Sequence, residues 1–195
     1  MTDSIPAFDR IQSYRKLANE LLGGKRTESE LNLATVSLPA LDKHLLNQIA
    51  DEVEHLSTTR PHSGWALAEV ARDAAHTQKG ELFLRSFSSW IVARASNHWV
   101  QPLRVSRAIS DARRGFQQLD EAGWLAACDW QEHALAWTHP DFTESARALK
   151  EALHGLESNG FTEFIPECRL ALAYAQILIG QHEEALEHIR LSEET

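Results

Sequence analysis

A length of 195 residues with 43% hydrophobic content suits one domain of ordinary size or a series of short repeats, and it excludes a globally disordered chain. The 28 acidic side chains outnumber the 19 basic ones, and the formal net charge of -9 disfavours nucleic acid and anionic lipid as partners. The sequence contains neither an apolar run long enough to span a membrane nor the charged and then apolar start of a signal peptide, so we expect a soluble, cytoplasmic protein.

The first sixty residues are predicted to form an irregular helical lead. Apolar side chains recur at spacings of three and four over residues 5–22, and a glycine pair follows at 23–24, which indicates an amphipathic helix with a glycine end. Thr27 and Glu30 resemble a capping box that begins a short helix. An apolar stripe over 41–56 predicts one further helix before the pattern changes.

From residue 61 to residue 195 the pattern is repetitive, and we interpret this region as paired helices. Strand-like alternation is almost absent, so the predicted fold class is all-α. Glycines at 80, 123 and 160 are separated by 43 and 37 residues, a period typical of helix-hairpin arrays. The predicted helices are 63–77, 80–97, 102–120, 124–137, 141–158, 161–179 and 182–193.

A shift of the sequence by 37 residues tests the repeat. It superposes Gly123 on Gly160 and Ala134 on Ala171, so that small residues coincide. Small side chains let two helices approach closely, while large ones one turn later fill the space against the next hairpin. The register therefore favours hairpins that pack in series.

The last forty residues resemble a tetratricopeptide repeat. That family places a Leu and a small residue in a first helix, Gly in the turn, and Ala, a large apolar residue and a small residue in a second helix. The matching positions here are Leu172, Ala173, Gly180, Ala185, Ile189 and Ser192. Two positions depart from the family pattern, because Arg169 stands where Trp is frequent and Gln176 where Tyr is frequent. The resemblance implies a right-handed helix-hairpin solenoid, with a scaffold function in protein binding.

Degenerate repeats behind a helical lead also resemble the amino-terminal region of bacterial proteins that join such repeats to a caspase-like CHAT peptidase. This resemblance implies a regulatory role, in which the catalytic Cys and His lie outside this chain. The last predicted helix, 182–193, is followed by no polar capping helix, whereas solenoids normally need one. We therefore expect that the chain is one piece of a larger protein.

The sequence offers no recognisable metal or catalytic site. His-Glu-x-x-His, closely paired cysteines and a glycine-rich phosphate loop are all absent from it. His182 and His188 are six residues apart and face different sides of a helix, while Cys128 and His133 diverge by about 140°. Cys128 and Cys168 lie in apolar helical stretches, as reduced thiols usually do. We predict no cofactor, no metal and no catalytic residue, and hence a protein that is not an enzyme.

An enzymatic alternative is a HEPN-type ribonuclease, an all-helical class with an Arg and a His on one helix. Arg147 and His154, with six residues between them, satisfy that spacing. The class favours a polar residue directly after the Arg, whereas Ala148 stands here. This alternative predicts a dimer with a shared basic cleft.

The tryptophans and polar helix positions are candidates for partner binding. Trp and Arg concentrate at the energetic centres of interfaces, and the first helix of each pair lines the concave face of a tetratricopeptide solenoid. We expect Trp90, Trp130 and Trp137 to be packing residues and Trp65, Trp99 and Trp124 to lie near helix ends. The predicted partner-binding residues within 80–179 are Arg85, Ser89, Arg94, Trp99, Trp124, Gln131 and Arg169. Their predicted partner is another protein or an adjoining domain.

Overall fold

The computed structural model describes residues 7–25, 28–96, 102–134 and 141–194, and all regular secondary structure in these residues is helical. The prediction of an all-α fold is therefore confirmed. A short 3-10 helix, Thr162–Phe164, precedes α9. The α-helices are α1 (Ala7–Leu22), α2 (Glu28–Thr35), α3 (Lys43–Thr59), α4 (Pro61–Thr77), α5 (Leu82–Ser96), α6 (Pro102–Gln118), α7 (Ala122–His133), α8 (Phe142–Ser158), α9 (Ile165–Leu178) and α10 (His182–Glu193). Within the described residues, no helix combines the length and the apolar character needed to cross a bilayer.

The chain divides into two compact units, Met1–Gly115 and Phe116–Thr195, and the division falls within α6. Helices that follow one another pack as neighbours: α3 with α4 and α4 with α5 in the first unit, and α7 with α8, α8 with α9 and α9 with α10 in the second. α1 and α3, which belong to the predicted lead, both pack on α4 within the first unit. The predicted boundary at residue 60 and the solenoid arrangement both stay predictions.

In the first unit α4 is the central helix, since α1, α2, α3 and α5 all pack against it. A helix that is covered from several sides buries more than one stripe of residues. The buried residues of α4 include five alanines, whose small side chains allow its neighbours to approach closely. They are Ala66, Ala68, Ala71, Ala74 and Ala75.

The connection between α2 and α3 is tied to the end of α4 by Gln78. The Leu41 N–H donates to the Gln78 Oε1 atom at 2.9 Å, and the Gln78 Nε2 atom donates to the Thr35 carbonyl at 3.1 Å. The hydroxyl of Tyr14, a fully buried side chain, donates to the Pro39 carbonyl at 2.9 Å. Burial raises the pKa of Tyr14, so this hydroxyl keeps its proton. These bonds satisfy polar groups of an interrupted segment that a helix would otherwise satisfy internally.

In the second unit an aromatic cluster joins the ends of several helices. Trp124 stacks on Phe116 with ring centroids 5.3 Å apart and meets Phe161 edge-on at 5.0 Å. Trp130 stacks on Phe164 at 5.5 Å. Because Phe161 and Phe164 flank the 3-10 helix, the cluster fixes how the chain enters α9.

The repeat period is visible in how helices end rather than in which residue is glycine. Lys79, Asp120 and Gly160 have φ of 52°, 55° and 74°, and they are spaced 41 and 40 residues apart. The next residue of each donates to a carbonyl five residues earlier, as in a Schellman motif: Gly80 to Ala75, Glu121 to Phe116, and Phe161 to Leu156. Gly80 and Gly123, from which the sequence period was counted, do not have positive φ. The backbone period is thus more regular than the glycine period of 43 and 37 residues.

These helix ends predict opposite effects for two adjacent glycine substitutions. Asp120→Gly should raise the free energy of unfolding by about 0.5–1 kcal/mol, since it removes the left-handed strain of a non-glycine residue. Glu121→Gly removes the same charge at a φ of -91°, where glycine only adds entropy to the unfolded chain, and should lower that free energy by about 0.5–1 kcal/mol. Urea denaturation followed by circular dichroism measures both. A change of the same sign in the two variants would contradict the assignment.

Candidate protein-binding surface

The predicted residues of α5 contact their own unit. The Arg94 Nη2 atom lies 2.6 Å from the Glu54 Oε2 atom of α3, and its guanidinium lies 5.4 Å from the centre of the Trp90 ring. Ser89 is buried and donates to the Arg85 carbonyl at 3.0 Å. Arg85 is half-buried. Ser89 therefore lies in the helix packing rather than on an accessible surface, and Arg94 links α5 to α3.

The predicted residues of the second unit behave similarly. Gln131 is fully buried in α7, with no hydrogen-bond partner for its amide, so it lies in the interior rather than on a groove. Arg169 pairs with Glu157 of α8 at 2.8 Å and is only 17% exposed. Trp124 is half-buried in the aromatic cluster, and Trp99 lies outside the described residues. The binding role of the whole set stays a prediction.

A different part of α9 is accessible, and sequence reasoning missed it. Leu170, Tyr174, Ile177 and Leu178 are 49%, 49%, 44% and 43% exposed. Their spacing places them within an arc of about 100° on one side of the helix. These four side chains, named the α9 face below, form a stripe of two turns. Single exposed apolar side chains are common, but an aligned group is typical of an interaction site.

The opposite side of α9 explains why the helix still folds onto its unit. Cys168, Leu172 and Ala175 are buried there, and the Cys168 thiol contacts the Leu149 carbonyl of α8 at 3.7 Å. α9 is therefore apolar on two sides. The signal was present in the sequence, because its apolar residues exceed what one buried stripe needs.

The neighbouring helix α10 is covered as sparsely as the α9 face. Ala185 is its one buried residue, and it is the small side chain that lets α10 pack on α9. Leu186, the next residue, is 67% exposed. The α9–α10 hairpin thus presents more apolar surface than a fully packed pair of helices would.

The surroundings of the α9 face are acidic. Residues 161–195 contain seven Glu and two Arg. Arg169 is paired with Glu157, and Arg190 forms ion pairs with Glu187 and Glu194. Both arginines of this segment are therefore neutralised locally, and the remaining glutamates determine the sign of its potential.

Histidine adds no positive charge to this hairpin at neutral pH. His188 is half-buried in α10, and its burial, together with the neighbouring Arg169 guanidinium, lowers its pKa below the ordinary value. The hydrogen bond and charge of Arg190 hold the pKa of Glu187 below its usual range, so Glu187 stays ionised. The acidic character of the hairpin persists through the neutral range.

The groups considered for chemistry are separately engaged. Burial raises the pKa of the Cys168 thiol to about 12, which disfavours its nucleophilic thiolate. Arg147 and His154 are both exposed on α8, and the Arg147 guanidinium bonds Glu144 and Glu151, each at 2.5 Å. No group of three metal-binding side chains occurs in the part of the chain that the structure describes. The ribonuclease alternative stays an untested prediction.

Comparison with protein-family models, with curated proteins and with solved structures finds no match to this chain. The tetratricopeptide resemblance therefore depends on the residues quoted for it, and the relationship to repeat–peptidase proteins stays a prediction.

Proposed function

We propose that this chain is a non-catalytic protein-binding module, in which the α9 face receives a segment of a partner protein or of an adjoining domain. The observation that supports this most directly is the alignment of four large, half-exposed apolar side chains on one side of a packed helix. Completing the burial of each contributes about 1 kcal/mol. Tyr174 suits the centre of such an interface, because tyrosine is frequent among the residues that dominate binding energy.

We propose further that the helix pairs stack as in a tetratricopeptide solenoid. The packing of consecutive helices within each unit and the recurrence of Schellman ends at 41 and 40 residues support this arrangement. In such a stack α9 is the first helix of its pair, which is the helix that faces a partner. The α9 face then belongs to the recognition surface of a scaffold.

Substitution of the α9 face tests the proposal against a matched control. The test variant combines Leu170→Ser with Ile177→Ser, and the control combines Leu33→Ser with Leu103→Ser, whose leucines are 76% and 73% exposed elsewhere. Tagged protein is expressed in the cells that make this chain, and co-purified proteins are quantified by mass spectrometry. We expect the test variant to lose a specific partner by about tenfold and the control to retain it. Equal recovery with both variants would contradict the proposal.

A further inference from the structure

We infer that the segment bound by the α9 face is a basic amphipathic helix of a partner protein. This inference rests on the proposed function and specifies the chemistry of the partner. It follows from two independent properties of the hairpin, the shape of its apolar stripe and the sign of the charge around it.

The stripe sets the spacing of apolar side chains in the partner. From Leu170 to Leu178 the α9 face extends about 12 Å along the helix axis. A partner helix that lies along it presents apolar residues at matching three- and four-residue intervals over two to three turns. An extended peptide would alternate its side chains every two residues and match the stripe poorly.

The charge sets the polar residues of the partner. Glu167 is exposed and lies three positions before Leu170, so it continues the line of the stripe towards the start of α9. Glu183 and Glu184 are exposed in the first turn of α10, soon after α9 ends at Leu178. Acidic groups thus flank both ends of the stripe, and lysine or arginine at the ends of the partner helix complements them.

The same charge disfavours other occupants of an apolar face. An anionic lipid surface is repelled by glutamates that flank the stripe, whereas a peripheral membrane helix normally carries basic residues beside its apolar side. A second copy of this chain is a competitor, because exposed Arg107 and Arg114 of α6 are basic. Self-association through the stripe is therefore an outcome that the experiment must distinguish.

Fluorescence anisotropy with designed peptides provides the test. The probe is a labelled helical peptide of about fourteen residues, with leucines on one face and lysines elsewhere. The first comparison peptide has the same composition in an order that disperses the leucines, and the second replaces every lysine with glutamate. We expect the intact full chain to bind the probe at least about tenfold more tightly than either comparison peptide. The affinity should fall as salt concentration rises.

Two variants assign the binding to the hairpin. Leu170→Ser with Ile177→Ser should weaken probe binding by about tenfold or more. Glu167→Gln with Glu183→Gln and Glu184→Gln should weaken it by a similar factor, whereas Asp51→Asn, Glu81→Gln and Asp111→Asn make the same charge change elsewhere and should not. Hydrogen exchange on the unaltered protein gives a readout that does not depend on any variant folding. The probe should slow amide exchange in α9 and early α10 but not in α4.

Equal affinity for the probe and the dispersed peptide would overturn the inference, as would an unchanged affinity in the α9 variant. Sedimentation that shows stripe-dependent self-association would also overturn it, in favour of a second copy. Failure here is separable from failure of the proposed function. If the cellular partner is lost with the α9 variant but the probe does not bind, the binding face stands and only the basic helix is wrong.

Discussion

Replacing Gly155 with Val is expected to lower the free energy of unfolding by about 2–3 kcal/mol. A Cβ atom at Gly155 of α8 would lie 2.7 Å from the Cβ atom of Ala126 on α7. A methyl group attached directly to the backbone has no rotamer by which it can move away. The two helices must therefore separate, and they lose part of the packing between them.

Helix propensity opposes this effect but is too small to reverse it. Val is a better helix former than Gly by roughly 0.4 kcal/mol, while overpacking of a tight contact costs about 1–3 kcal/mol and a branched side chain lies at the upper end. The steric effect therefore wins. Urea denaturation, followed by circular dichroism and tryptophan fluorescence, measures the net change.

The adjacent residue of α8 provides the matched control. His154 is exposed, so His154→Val introduces the same side chain into the same turn without a steric contact. We expect a change within about 0.5 kcal/mol for this variant. A similar loss in both variants would show that valine itself, rather than the contact with Ala126, lowers the stability.

Helical periodicity in the sequence predicts where helices form because it depends on residues that are close along the chain. α4 was predicted over 63–77 and is Pro61–Thr77, and α10 was predicted over 182–193 and is His182–Glu193. Proline at the first turn and a Schellman end, both local features, fix such limits. The existence of the helices therefore needed no tertiary information.

Periodicity does not tell which sides of a helix are covered, since the cover comes from distant parts of the chain. Ser89 and Gln131 are polar and were predicted to face a partner, but neighbouring helices bury both. Tyr174 shares α9 with buried Leu172, and the apolar pattern alone assigns both to a core. The candidate binding surface thus became visible only once the packing of α9 on α8 and α10 was known.

Trp124 illustrates the same distinction, and replacing it with Ala should lower the free energy of unfolding by about 3–5 kcal/mol. The sequence predicted Trp124 as a partner-binding residue. In the structure its indole ring contacts Phe116, Phe161 and Phe164, with centroids 5.3, 5.0 and 6.0 Å apart respectively. Truncation removes a large buried area and three favourable ring contacts, so the loss should exceed that of most single substitutions.

Tyr174 is the control that separates stability from binding. It is an aromatic residue of the same unit but is 49% exposed, so Tyr174→Ala should lower the free energy of unfolding by less than about 1 kcal/mol. Its expected effect is instead on partner recovery, which should fall as it does for the other α9 variants. Urea denaturation and partner capture on both variants therefore give opposite patterns if Trp124 is a packing residue and Tyr174 a binding residue. A Trp124→Ala protein with unchanged stability and no partner would restore the original prediction for Trp124, because its contacts with the phenylalanines would then contribute little to folding.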